Sequence, residues 1–194
     1  MQNDTHWSKI TRWLHSLIAV TFITQLALSL VLAPPDEVDE ASGIAIAAME
    51  GHEIVGLIAA GLLFIHWLWL FVPSSDVRLK NLFPYYPAGI KRIKDEIAYL
   101  ITHKRLPTSD NHGGLAGCIH GLGILIASGI AFSGVGLYIV MDFTAGGFEN
   151  PLFENIAELH EAFGSLMWTY LVLHVFAAAW HEYAGEKIVA RMAP

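Results

Sequence analysis

Charge is scarce in this chain. Only 15% of its 194 residues are Asp, Glu, Lys or Arg, against about 25% in a typical soluble domain. Hydrophobic residues make up 54%, and the mean hydropathy is +0.48. These numbers argue against an ordinary soluble enzyme, and equally against disorder, which needs few apolar residues and many charges. Cysteine is rarer still. A single Cys118 excludes a disulfide framework, a Cys-rich zinc site and a Cys-ligated iron–sulfur cluster. The C-x-x-C-H signature of an attached haem is absent too. A net charge of −7 gives no reason to expect a nucleic-acid partner. Histidine is what the chain has in excess: ten, in a setting where imidazoles need a reason to be.

Four stretches lack Asp, Glu, Lys and Arg: Trp13–Ala33, Ile54–Val72, Gly113–Met141 and Ala162–Trp180. A bilayer core about 30 Å thick needs about 20 apolar helical residues. Each stretch is long enough, and the third is long enough to tilt. Soluble helices of this kind would carry a polar stripe, and these carry none. The expected fold is all-α: an integral membrane four-helix bundle with spans at about 12–33, 52–72, 113–141 and 158–181.

The 11 Lys and Arg fall in three places. Lys9 and Arg12 precede the first span. Arg78, Lys80, Lys91, Arg92, Lys94, Lys104 and Arg105 lie between the second and third. Lys187 and Arg191 follow the fourth. The other connections hold acids instead, among them Asp36, Glu37, Asp39, Glu40, Asp142 and Glu149. The positive-inside rule then makes both termini and the central loop cytoplasmic. The first span is long, and acids rather than a small-residue cleavage site follow it, so it does not read as a cleaved signal peptide. Within the central loop, Ile90, Ile93, Ile97, Leu100 and Ile101 share one face after Pro87, opposite Lys91, Arg92, Lys94, Asp95 and Glu96. This pattern predicts a cytoplasmic amphipathic helix. It either anchors on anionic membrane lipid or packs on the bundle as an ordinary solvated helix.

Six histidines fall in or at the ends of spans: His15, His52, His66, His120, His160 and His174. Ionisable groups at such positions are costly and usually functional. His52 and His66 are 14 residues apart, as are His160 and His174. In a helix that spacing returns to within about 40° of the same face, about 21 Å further along the axis. Two imidazoles at two depths suit two stacked haems held between facing helices. They do not suit a compact metal site, whose ligands converge at i and i+4. Both pairs fit H-E-x2-G-x9-H, with Gly56 and Gly164 one turn after His52 and His160. A glycine there removes a side chain from the face a flat macrocycle would approach. On the outer side only His52 and His160 are available to pair. On the cytoplasmic side His174 has three candidate partners, His15, His66 and His120, of which symmetry favours His66. Histidines not used as ligands are left to a quinone site, a proton path or a hydrogen bond. Gly113, Gly117 and Gly121 form a smooth face on the third span, open to close helix packing or to a haem edge. Trp67, Trp69, Trp168, Tyr170 and Trp180 are open to lining the haems or a quinone pocket, but an interfacial belt or lipid-facing packing is the commoner use, and the belt is favoured.

With these residues in place, the whole chain resembles the bacterial cytochrome b561 and nickel–iron hydrogenase b-type cytochrome family of four-span di-haem membrane proteins. Arg12-Trp13-Leu14-His15 is similar to the first-span motif, in which a basic residue stands shortly before a ligand His. His52 with Gly56 resembles the second-span ligand. Leu159-His160-Glu161 and His174-Val175 resemble the fourth-span ligands, and Arg191-Met192-Ala193-Pro194 the family's R-M-x-P ending. Asn111-His112-Gly113-Gly114 loosely resembles the G-H-N-P-x-G stretch opening the third span, with N-H in that order and the Pro missing. The resemblance implies two haem b groups, with His52/His160 as outer axial ligands and His15/His174 as cytoplasmic-side ligands. Family members often carry Arg where this chain has His66, which keeps His66 a rival to His15.

The resemblance further implies an electron-transfer subunit of an oxidoreductase, rather than a self-contained enzyme, in the bacterial inner membrane. It would carry single electrons across the bilayer between quinone and a periplasmic redox protein: a dehydrogenase, a hydrogenase or a c-type cytochrome. Homodimer and hetero-oligomer are both left open. A free-standing superoxide:quinone oxidoreductase would need a basic funnel on the outer side, and the outer connections hold no Lys or Arg. A His-using transporter or intramembrane metalloprotein is the reading of another class. Neither H-E pair continues to H-E-x-x-H, because positions 56 and 164 are Gly, and few carboxylates lie mid-span.

Overall fold

The computed structural model describes residues 7–33, 42–105, 107, 113–144 and 146–194. The acidic run Asp36, Glu37, Asp39 and Glu40 lies outside them, as do Asn111 and His112 of the third-span motif. Every regular element among the described residues is helical. In chain order they are α1 (Lys9–Leu28), α2 (Gly43–Phe71), α3 (Leu79–Leu82), α4 (Pro87–His103), α5 (Gly114–Phe143), α6 (Pro151–Tyr183) and α7 (Ile188–Met192), with a 3₁₀ turn at Gly147–Glu149.

Among the described residues, three helices are long and apolar enough to cross a membrane: α2, α5 and α6. Their outer faces carry bare hydrocarbon, with Phe64 64%, Phe132 83% and Val172 62% exposed. A water-facing helix would place polar groups there, so this surface suits lipid. The first expected span differs from the other three. α1 starts at Lys9 and stops at Leu28 rather than running to residue 33, and Thr11, Arg12, His15 and Gln25 dilute its apolar character. Two spans extend further than charge alone suggests. α2 begins nine residues before His52, and α6 begins at Pro151, with the Asn150 side-chain oxygen accepting the Leu152 N–H at 3.0 Å as a helix cap.

The chain divides into two compact units. The first contains Met1–Ser16, His66–Leu125 and Tyr170–Pro194. Here Ser8 caps α1, its Oγ accepting the Thr11 N–H at 3.3 Å. Asp76, beyond the end of α2, accepts from the Thr11 hydroxyl at 2.6 Å and the Ser8 hydroxyl at 3.0 Å, and also from the Ser8 N–H. Trp69 Nε1 donates to the same Thr11 hydroxyl at 3.0 Å. Arg12 Nη1 donates to the Ala193 carbonyl at 2.8 Å, tying the start of α1 to the C-terminal segment.

The glycine stripe of α5 has a clear use in this unit. A Cβ at Gly117 would collide with the Asn81 carbonyl, one at Gly121 with the Leu82 carbonyl, and one at Gly113 would sit 3.1 Å from Asn81 O. The stripe is the bed on which α3 lies, which is the close-packing reading. The amphipathic helix forms as expected. Pro87 opens α4, Lys104 closes it in the left-handed region at φ 50°, and Glu96 turns inward. One Glu96 oxygen accepts from Arg92 Nε at 2.7 Å and the other from the Leu115 N–H at 2.6 Å. A carboxylate at the positive end of α5 is favourable. Gly114 makes room for it: φ is +76°, and an added Cβ would meet both Glu96 oxygens.

The second unit contains Leu17–Ile65 and Ile126–Thr169. Phe22, Leu26, Leu63, Ile126 and Met167 are buried in it. Glycines again set the approach of neighbours. Gly51 receives Leu28, and Gly129 receives the ring of Phe163.

The Asp76 cluster carries a testable consequence. Burial alone would raise the Asp76 carboxyl, but the hydrogen bonds from Thr11 and Ser8 outweigh it and hold the group below its ordinary value. A depressed folded value contributes stability that is present above the unfolded value of about 3.9 and lost as pH falls through the folded one. Asp76→Ala leaves the Ser8 and Thr11 donors unpaired, at a cost of about 1–3 kcal/mol. Thermal melts in detergent at neutral pH should show a lower midpoint for the variant, and the gap should close below about pH 4. An equal gap at both pH values would contradict the assignment.

Candidate functional site

The histidines come together in two groups, one in each unit. In the second unit, His52 of α2 and His160 of α6 face each other with ring centroids 6.2 Å apart and planes at 80°. The backbone behind the His52 ring is held. Gln25 Nε2 donates to the His52 carbonyl at 2.8 Å, and Gly56 is the gap through which Gln25 reaches it, since a Cβ there would lie 2.5 Å from that nitrogen. Gly56 thus admits a side chain from α1. Gly164 has only Ile130 nearby, at 3.9 Å. His160 Nδ1 lies 3.0 Å from Ser133 Oγ. A Cβ on Gly134 would stand 3.0 Å from His160 Cε1, so this glycine lets the imidazole lie close to α5. His52 Nδ1 is buried without a hydrogen-bond partner among the described residues.

In the first unit, His15 of α1 and His174 of α6 stand 6.3 Å apart, centroid to centroid, at 46°. His120 of α5 is closer to His174, at 5.2 Å and edge-on. Its Nδ1 lies 2.7 Å from the Ala116 carbonyl, and a carbonyl only accepts, so Nδ1 carries the proton. Tyr170, one turn before His174, stacks on it at 5.4 Å and 19°, with its hydroxyl 3.5 Å from Nδ1. Gly123 makes room for the Tyr170 ring. His66 is buried, and neither ring nitrogen has a partner among the described residues.

These separations can be tested against an iron between two imidazoles. Two metal–nitrogen bonds of about 2.0 Å, plus about 1.2 Å from each nitrogen to its ring centre, give about 6.4 Å. His52/His160 and His15/His174 both fall close to that value. His120/His174, at 5.2 Å, is too tight. Among the described residues, no group of three or more His, Cys, Asp or Glu is placed to hold a metal ion. Paired axial donors suit a macrocycle that supplies the remaining ligands itself.

The aromatic residues divide. Trp168 and Trp180 are partly exposed, as a belt would be. Tyr170 instead packs on His174, Trp69 bonds Thr11, and Trp67 stacks on Phe83 at 6.4 Å. Sequence reasoning did not find Ser133, Gln25 or Asp76. The Ser-Gly step at 133–134 repeats the one at 128–129 in the same helix, so spacing did not single it out.

The family model for prokaryotic cytochrome b561 matches residues 6–194. No curated protein and no solved structure matches the chain.

Gly134→Val should press a branched side chain against the His160 ring and lower the haem retained per chain after purification. Gly136→Val is the control, because its Cβ meets only Ile156 at 3.5 Å. Equal haem content in the two variants would show that Gly134 does not seat the ring.

Proposed function

The chain belongs to the prokaryotic cytochrome b561 family, and from that premise we propose that it carries single electrons across the bacterial inner membrane through two b haems, between the quinone pool and a periplasmic redox protein. Membership makes it a membrane b-type cytochrome. The observation that carries the finer reading is the pair of imidazole separations, 6.2 Å for His52/His160 and 6.3 Å for His15/His174. Both suit axial ligation of one iron each.

When bound, a b haem supplies one-electron redox at its iron, with a potential set by axial ligands, hydrogen bonding and burial. The chain's residues do the rest. His15, His52, His160 and His174 would hold the haems in two pairs, and electrons would then enter and leave at the haem edge rather than through bound oxygen or substrate. The Tyr170 ring stacked on His174 limits its rotation. Gly134 and Ser133 do the same for His160. Apolar faces on α2, α5 and α6 keep water from both pairs. His66 is the rival ligand on the cytoplasmic side; its two unpartnered nitrogens mark a buried group still seeking a use. The 6.3 Å separation favours His15.

In this reading α1 is the fourth crossing. Its 20 residues span about 30 Å. Both termini and α4 are cytoplasmic, where the Lys and Arg lie, and α4 rests on anionic lipid. Glu50, Asp142, Glu149, Glu154 and Glu158 face outward and suit a partner with a basic docking surface. That partner is a dehydrogenase, a hydrogenase or a c-type cytochrome.

Purified protein should be red, and a pyridine haemochrome assay should give about two b haems per chain. His15→Ala should lose one of the two, and His66→Ala should retain both. The reverse result would assign His66 as the ligand. Reduction by a quinol analogue should appear as a sharpened Soret band. A folded but colourless preparation rules out the haem reading, and haem that no quinol reduces rules out the quinone role.

A further inference from the structure

We propose that Ser133 is a positioning residue for His160, fixing the proton on Nδ1 and thereby lowering the reduction potential of the haem that His52 and His160 hold. This rests on the ligand reading above.

Ser133 is 2% exposed, beside Gly134 on α5. Its hydroxyl has one hydrogen and three neighbours: the Gly129 carbonyl at 2.9 Å, the Ile130 carbonyl at 3.1 Å and His160 Nδ1 at 3.0 Å. The two carbonyls can only accept. A serine in a helix gives its proton to a carbonyl one turn back, which leaves an oxygen lone pair facing the imidazole. His160 must then be the donor at that contact, and the Ile130 backbone carbonyl accepts from the same ring. Its proton sits on Nδ1, and Nε2 is left with the lone pair that an iron needs. Were the hydroxyl to donate to Nδ1 instead, Nε2 would be protonated and unable to ligate.

The same contact acts on the metal. A ligand imidazole that donates its other N–H becomes more basic and better at stabilising the oxidised iron. Gly134 supports this arrangement, because without a side chain it lets the ring approach α5 closely enough for the bond to form. Among the described residues the other pair has no equal: His174 has the Tyr170 hydroxyl, at 3.5 Å from Nδ1, which is long for a strong hydrogen bond. The two units therefore treat their α6 histidines differently.

The test is a redox titration of the haem-loaded protein and of Ser133→Ala, Ser133→Thr and Ser133→Cys, followed optically. Ser133→Ala should weaken the preference for ferric over ferrous iron about tenfold at one haem, an upward shift of about 59 mV for one electron. The second haem should not move. Ser133→Thr keeps the hydroxyl and should restore the wild-type value. Should Ser133→Ala lose haem, Ser133→Cys carries the test, since its sulfur is a weaker acceptor in the same space, and an upward shift again supports the proposal. Unchanged potentials in Ala or in Cys would overturn it, and so would a Thr variant that behaves like Ala. Wild-type protein that binds no haem would instead refute the ligand reading on which the proposal stands.

Discussion

An imidazole inside an apolar helix has two nitrogens that hydrocarbon cannot satisfy, and no water arrives to help. Each must find a carbonyl, a hydroxyl, another ring or a metal. The chain places six histidines under this constraint, and the way they are satisfied organises the rest. His120 spends Nδ1 on its own helix, at Ala116. His160 spends Nδ1 on Ser133. His174 is held by the ring of Tyr170. For His120 and His160 one nitrogen is occupied locally and the other is left for something else. Facing pairs with room for a metal between them answer that need.

Glycine makes the arrangement physically reachable. α5 carries glycines wherever another part of the same unit must come close. Asn81 and Leu82 lie against Gly117 and Gly121, the Tyr170 ring against Gly123, the Phe163 ring against Gly129, and His160 against Gly134. Each missing Cβ marks a place where backbone or ring occupies the volume a side chain would have filled. Association of apolar helices gains little from hydrophobicity in lipid and depends on such close packing. The glycines that serve packing and the one that lets the His160 ring lie close are of one kind, and the neighbour alone tells them apart.

Polar anchoring is concentrated near the basic segments. Ser8, Thr11, Trp69 and Asp76 bond one another, Arg12 reaches Ala193, and Glu96 joins α4 to the first turn of α5. These bonds lie beside helix ends, where water competes and each is worth only about 1 kcal/mol. Together they fix where α1 begins, and with it the position of His15 two turns later. A loop acid such as Asp76 therefore bears on the site through helix placement rather than through contact with it.

Periodicity and charge are local properties, and they were legible in the residues. The apolar runs of α2, α5 and α6, the sorting of Lys and Arg, the amphipathic α4 and the shared face of His160 and His174 all follow from spacing along one chain. So did the expectation that His52 pairs with His160, because no other histidine lies at that end. Four things were not legible. Tyr170 read as a belt residue and packs on His174. Gly56 read as room for a macrocycle and admits Gln25. Ser133 gave almost no signal. Which of His15, His66 and His120 stands at an iron-spanning distance from His174 was also beyond spacing, since all three have suitable depth. That depends on the rotation of α1, α5 and α6 about their own axes, which is set by glycine contacts and capping bonds between residues far apart in sequence. The sequence by itself determined a membrane cytochrome with imidazoles at two depths; only the packed helices decided which rings face each other, and which small polar side chain stands behind them.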